Sequence, residues 1–309
     1  MIIMITKNNY LKSNDSSCWF TTGFTDAEGC FYISITRNTK FKTGWKVLAF
    51  FEIHIHKKDV ELLEFIQKEF NGVGRIVPNG KNACSFRVNS INDLLYTIIP
   101  HFEKYPLTSQ KYADFVLWKQ AIIMMKKGKH LTDEGLKEIV NIRASINRGL
   151  SEALKQTFTQ TIAAVRPINT PIVPHEAWLS GFTSGEGSFL IRIGKSKDKV
   201  VSRAQLVFTI SQHIRDELLL KSIINYLNCG NYRVHTNRDL SDYICSDFEG
   251  IYTKIIPFFK QYPILGVKSQ DFNDWVRAAG LIKNKDHLTP KGLDLILTLK
   301  SGMNRNRIL

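Results

Sequence analysis

The chain has 309 residues, 43% of them apolar, enough for one large core or two ordinary ones. Its net charge of +14 and pI near 9.5 call for an anionic partner, nucleic acid or a membrane surface. No apolar run approaches a membrane span, "MIIMITKNNYLKSNDSS" lacks the features of a secretory signal, and five cysteines without a CxxC pair exclude a zinc ribbon and a disulfide framework. A reducing compartment follows.

In chain order, a short apolar helix ends at Glu28 within "GFTDAEGCF" (Gly23 to Phe31), and Gly29 stands where a helix-terminating residue belongs. Period-two alternation then predicts a strand with Phe31, Ile33 and Ile35 facing inward. A second strand turns Phe51, Ile53 and Ile55 inward. An amphipathic helix is expected at 58–70, strands around 74–79 and 84–89, and a helix in "KYADFVLWKQAIIMMKK". A last helix starts at Thr132, a residue type suited to an N-cap.

The same order then recurs. "GFTSGEGSF" (Gly181 to Phe189) answers the opening string, "KQYPILGVKSQDF" (260–272) answers "EKYPLTSQKYADF" (103–115), and "DHLTPKGL" (286–293) answers "KHLTDEGL" (129–136). Pro106 and Pro263, like His130 and His287, lie 157 residues apart, whereas Glu28 and Glu186 lie 158 apart, which places one indel between the first two strands. The chain is a tandem duplication: an N-terminal half over 1–148, a linker over 149–176 ending in "VRPINTPIVPHE", and a C-terminal half over 177–309. Second-half strands are expected around 230–236 and 242–247, a helix at 215–227, and a last helix from Thr289 with Pro290 at its first position. Each half reads α-β-β-α-β-β-α-α. The fold class is α+β, a pseudo-symmetric repeat in which helices cover one face of a four-stranded antiparallel sheet.

The opposite sheet face is left open, and alternation names its residues. They are Tyr32, Ser34, Thr36, Asn38, Glu52, His54, Arg75, Asn79, Ser85, Arg87 and Asn89 in the first half. In the second they are Arg192, Ser196, Gln205, Thr209, Ser211, Asn231, Arg233, His235, Asp242 and Ser246, with Asn237 and Arg238 alongside. Such side chains can hydrogen-bond to base edges. The loops "TRNTKFKTGWK" and "GKSKDKVVSR" supply Lys40, Lys42, Lys46, Lys195, Lys197, Lys199 and Arg203 for phosphates.

The two glutamates pose a separate problem. Gly23 and Gly181, with small neighbours, let two helices approach backbone to backbone and join the halves about a pseudo-two-fold axis. That leaves a carboxylate at each helix C-terminus, facing the negative end of the dipole, with both acids near the junction. Like charges so placed need protonation or a cation, and hard oxygen ligands suit Mg²⁺. A basic sheet with a metal–carboxylate centre points to phosphodiester hydrolysis.

"TTGFTDAEG" (21–29) and "LSGFTSGEG" (179–187) resemble the nine-letter motif of the LAGLIDADG homing endonucleases, in their single-chain two-repeat form. Thr21 replaces the motif's opening Leu, and Ser184 stands where the first copy has Asp26. The resemblance implies that Glu28 and Glu186 bind a divalent metal, helped by the carbonyls of Ala27 and Gly185. It implies a long asymmetric double-stranded DNA target, and basic or polar helpers near the scissile phosphates, for which Lys268 and Gln212 are the candidates. Their first-half equivalents are Lys111 and Ile55. An HxH pair, His54 and His56, has no third zinc ligand nearby in the sequence. Two other readings stay open: an intron maturase that binds RNA, with or without cleavage, and a DNA-binding regulator without catalysis. Both intact acids favour the nuclease. Frequent Asn, Ile and Lys, with the resemblance, point to a monomer encoded and working in a fungal mitochondrion.

Overall fold

Alternation and capping build the same series of elements twice. The computed structural model describes residues 14–194, 203–304 and 307. Helix α1 (Asn14–Glu28) runs directly into β1 (Gly29–Arg37), followed by β2 (Trp45–His56), α2 (Val60–Glu69), β3 (Arg75–Pro78) and β4 (Ala83–Val88). Helices α3 (91–104), α4 (Lys111–Lys126) and α5 (Asp133–Ser145) complete the first series. After α6 (Glu152–Thr157), the second comprises α7 (Glu176–Glu186), β5 (Gly187–Gly194), β6 (Arg203–His213), α8 (Glu217–Leu227), β7 (Asn231–Val234) and β8 (Leu240–Cys245). It ends in α9 (248–261), α10 (Lys268–Lys283) and α11 (Pro290–Ser301). Both sheets are four-stranded, ordered β1-β2-β4-β3 and β5-β6-β8-β7, with every pairing antiparallel.

The chain forms two compact units: one spans Glu28–Thr170, and the other unites α1 up to Ala27 with the residues from Pro171 onward. Each packs an aromatic core under its sheet. Phe31 stacks on Phe51 at 5.1 Å and meets Trp118 at 5.0 Å. Phe189 stacks on Phe208 at 5.0 Å and meets Trp275 at 5.2 Å, so the repeat extends to its ring contacts. Thr132 and Thr289 accept from the backbone N–H of Gly135 and Gly292, as N-caps do. Each closing helix is tied back to its sheet by an asparagine in the left-handed region, Asn147 (φ 54) and Asn304 (φ 58). Their amides donate to the carbonyls of Phe31 (2.7 Å) and Phe189 (3.1 Å).

Helices α3 and α9, which contain Pro100 and Pro257, are absent from the sequence-based expectation. Each helix passes through a π turn, Leu94–Ile98 or Ile251–Ile255, with the proline just after it. The proline lacks an N–H for an interior bond, and the widened turn accommodates that loss. The connector is also more ordered than its prolines suggest. Arg166 pairs with Asp114 at 2.5 Å, Asn169 donates to Thr108 O at 2.7 Å, and Phe158 packs on Trp45.

The motif glycines do two different jobs. A Cβ on Gly23 would lie 1.9 Å from Trp178 O, and one on Gly181 would lie 2.1 Å from Phe20 O. Helices α1 and α7 therefore touch backbone to backbone, as expected. Gly187, in contrast, does not end α7 by adopting the left-handed conformation. Its backbone is extended (φ −67, ψ 147), and a Cβ there would lie 2.4 Å from Thr183 Cγ2. Its role is room beside the preceding turn, so the strand can start at once. Gly181→Ala should therefore cost about 3 kcal/mol or more, since two rigid backbones must separate. Gly280→Ala, in α10 with open space around its Cα, should gain about 0.5–1 kcal/mol. Denaturant melts of both variants check the pair; equal effects would contradict it.

Candidate carboxylate sites and nucleic-acid interface

Each motif helix ends with its glutamate half-buried. Glu28 borders a shallow open depression with Cys30, Tyr32, Glu52, His54 and Asn79. Glu186 lies beside a cation: Lys268, the first residue of α10, donates its ammonium to the carbonyls of Thr183 (3.3 Å) and Gly185. The last carbonyls of a helix have no intrahelical partner and carry partial negative charge. Lys268 thus answers at Gly185 the oxygen that the resemblance gives to a metal. A carboxylate and helix-end carbonyls are hard oxygen donors, and one such end already attracts a cation, so the residues fit a divalent ion such as Mg²⁺.

The neighbouring motif residues are structural. Ala27 is buried within an apolar cluster that includes Trp178 and Phe182. Asp26 is 1% exposed and accepts from the Trp178 indole at 2.8 Å. Ser184, at the matching position, donates to Ser180 O (2.8 Å) and accepts from Leu265 N (3.1 Å). A carboxylate and a hydroxyl fill equivalent places because each meets a different local donor. Gln212 lies on β6 two residues beyond Ile210, the partner of Gly187, and is half-buried.

The open sheet faces divide into exposed residues and hidden ones. Thr36, Lys40, Lys42, His54, Arg75 and Asn79 are exposed, as are Arg192, Gln205, Asn231, Arg233, Asn237 and Arg238. Tyr32, Ser34, Asn38, Lys46, Arg87, Asn89, Ser211, His235 and Ser246 are half-buried. Arg203 opens β6 opposite Gly194, and Lys195, Ser196, Lys197 and Lys199 lie outside the described residues. Four expected face residues are instead covered: Glu52, Ser85, Thr209 and Asp242. The side chain of Glu52 is only 12% exposed, and that of Asp242 only 3%. Both are held by neighbours on their own sheet.

Glu52 receives Arg87 at 2.8 Å and the Tyr32 hydroxyl at 3.0 Å. Burial alone would raise its pKa, but hydrogen bonds from Arg87, Ser85 and Tyr32 win and hold it below the usual carboxylate value. Burial, then the Glu52 charge, pushes the Tyr32 phenol up to about 12. The Arg87 guanidinium lies 5.8 Å from the Phe50 ring centroid, while its buried Nε has no acceptor among the described residues. Phe50 escaped the sequence reading, although an aromatic beside an arginine on one face was its available signal. The histidines serve locally. His54 Nδ1 meets Ser85 Oγ at 3.0 Å, and His56 accepts from Lys58 N.

The Glu52–Arg87 pair generates a pH prediction. A depressed carboxylate pKa stabilises the fold above its unfolded value, and the gain disappears as pH falls through the folded value. Arg87→Ala should cost about 1–2 kcal/mol at pH 7, discounted for the partly exposed guanidinium. The difference in Tm from wild type should narrow as pH falls through the folded-state pKa of Glu52, because the paired charge is then lost. A difference that stays constant across that range would contradict the pairing.

The fold and sites have counterparts among known proteins. A family model described as LAGLIDADG endonuclease matches residues 21–122 and again 179–279. Probable intron-encoded endonuclease 2 of Neurospora crassa is 42% identical over 309 residues, covering 93% of this chain and 67% of that protein. Probable intron-encoded endonuclease 3 of the same fungus is 38% identical over 299 residues, covering 95% of this chain and 55% of that protein. The chain thus spans roughly half to two thirds of these curated relatives. Among solved structures, the I-SmaMI LAGLIDADG homing endonuclease bound to cleaved DNA is 43% identical with a TM-score of 0.92, covering 94% of this chain and 98% of that one. I-LtrWI, a LAGLIDADG homing endonuclease bound to target DNA, is 39% identical with a TM-score of 0.93, covering 96% and 100%. With both repeats matched and the architecture shared throughout, the chain belongs to the LAGLIDADG endonuclease family.

Proposed function

We propose that this chain is a site-specific DNA endonuclease that hydrolyses both strands of a long asymmetric duplex with the help of a divalent cation, Mg²⁺ foremost. The observation that carries the reading is the pair of intact glutamates, each ending a motif helix that leads directly into an arginine-bearing sheet. An RNA-splicing role alone would give these acids no task, and the named relatives are endonucleases. I-SmaMI, bound to an uncleaved DNA target in the presence of calcium ions, supports the choice of a divalent cation.

In this reading Glu28 and Glu186 each hold a divalent cation through their carboxylates, with the Ala27 and Gly185 carbonyls as further oxygen donors. The cation, when bound, polarises the phosphate and activates water. Lys268 keeps a positive charge at the end of α7, on the Gly185 carbonyl that would serve as a metal donor. Gln212 orients water beside Glu186. Arg75, Arg87, Arg192 and Arg233 read bases, and the lysines of the β-hairpin loops neutralise phosphates. The two repeats make the protein a monomer with internal pseudo-symmetry, and its fungal intron-encoded relatives suggest the mitochondrion as its place of work.

A randomised duplex library tests the reading. With Mg²⁺, cleaved products should converge on one long, non-palindromic site; with excess chelator, none should form. Binding to that site should persist in Ca²⁺ and fall steeply with salt, by about 0.9 in log K per log unit for each phosphate neutralised. Cleavage in chelator, or products without a common site, would overturn it.

A further inference from the structure

The two sheets carry a polar cluster at the same register, built from different chemistry. On the first, His54 and Val77 both pair with Ser85, and Asn79 N donates to Ala83 O one step further along β4. On the second, Ser211 and Arg233 both pair with Asp242, and His235 N donates to Leu240 O at the matching step. Four positions therefore coincide: His54 with Ser211, Val77 with Arg233, Asn79 with His235, and Ser85 with Asp242.

Each set is closed on its hidden member. Ser85 is fully buried and touches His54 Nδ1 (3.0 Å) and Asn79 Nδ2 (3.1 Å), while Asn79 Nδ2 also meets His54 Nδ1 (3.0 Å). With Nδ1 accepting from that amide, the imidazole proton sits on Nε2, which is then a donor. Asp242 takes Ser211 Oγ (2.7 Å), Arg233 (2.5 Å) and His235 Nε2 (2.8 Å). Its buried carboxylate cannot itself reach a base, yet it fixes a guanidinium that remains 46% exposed. A held arginine is suited to guanine O6 and N7.

We propose that these four aligned positions form one base-reading cluster used twice, neutral on the first sheet and charged on the second, with Asp242 as the positioning residue that aims Arg233 and His235. The inference rests on the sheets being the DNA-binding surface. It also gives a physical source for target asymmetry: equivalent positions of the two half-sites meet a histidine–asparagine pair on one side and an arginine–histidine pair on the other.

The test is selection from a randomised duplex library with the full chain and Mg²⁺. Arg233→Ala should relax preference at one or two base pairs by about 10-fold. Asp242→Asn should relax the same base pairs, with affinity for a scrambled duplex at least as high as wild type. The double variant should lose less than the sum of the two single losses, because the carboxylate acts partly through the arginine and otherwise only through His235. Uniform weakening, additive losses or an unchanged profile would overturn the role of Asp242. Should Asp242→Asn fail to fold, the transplant Ser211→His, Arg233→Val, His235→Asn and Asp242→Ser decides. It should replace those preferences with the ones found at the equivalent position of the other half-site. Wild-type preferences, or a transplant that does not fold, would show that the sets are not interchangeable. A wild-type protein that enriches no sequence would instead sink the DNA-binding reading itself.

Discussion

The contact on which the rest depends is the backbone-to-backbone approach of α1 and α7 at Gly23 and Gly181. Each glycine sits where a Cβ would strike the partner helix's carbonyl, at Trp178 or Phe20. No side chain can be added there without parting two rigid backbones. The Trp178 indole bonded to buried Asp26 reinforces the same contact. Five residues beyond each glycine stands a glutamate, and one further the chain becomes a strand. A motif that looks like a catalytic signature is thus mostly a packing device, which delivers one carboxylate to the end of each helix and aims a sheet from it.

Electrostatics then divides the labour between helix ends and sheet faces. At the end of α7 the carbonyls carry the negative end of the helix dipole, and Lys268 answers it at Thr183 and Gly185. On the sheets, two largely covered carboxylates take the opposite part: Glu52 holds Arg87, and Asp242 holds Arg233 and His235. Under the proposed DNA-binding role, anions exposed on these faces would be unfavourable. Covered and paired, they restrain the arginines and leave the surface basic.

Much of this was legible locally. Strict alternation in β1 and β2 separated core from open face, and Thr132 and Thr289 marked helix starts by chemistry alone. The duplication was legible because landmarks such as Pro106 and Pro263 recur in order. What escaped depended on partners far away in sequence. Pro100 and Pro257 sit just after π turns that nothing in the local sequence announces. Alternation placed Glu52, Ser85 and Asp242 on the correct face, but not their burial beneath cross-strand neighbours. The resemblance singled out Lys268 as a helper at a scissile phosphate, whereas its bond to Gly185 required the folded chain.

The central claim is that Glu28 and Glu186 perform the chemistry rather than hold the fold. The most direct measurement replaces each in turn with Gln, which keeps volume and removes charge, and follows a supercoiled plasmid bearing the selected target. Both variants should melt like wild type and bind the target at least as tightly, since a negative charge facing phosphate is gone, while linear product is lost. Linear product at the wild-type rate from either variant would contradict the claim.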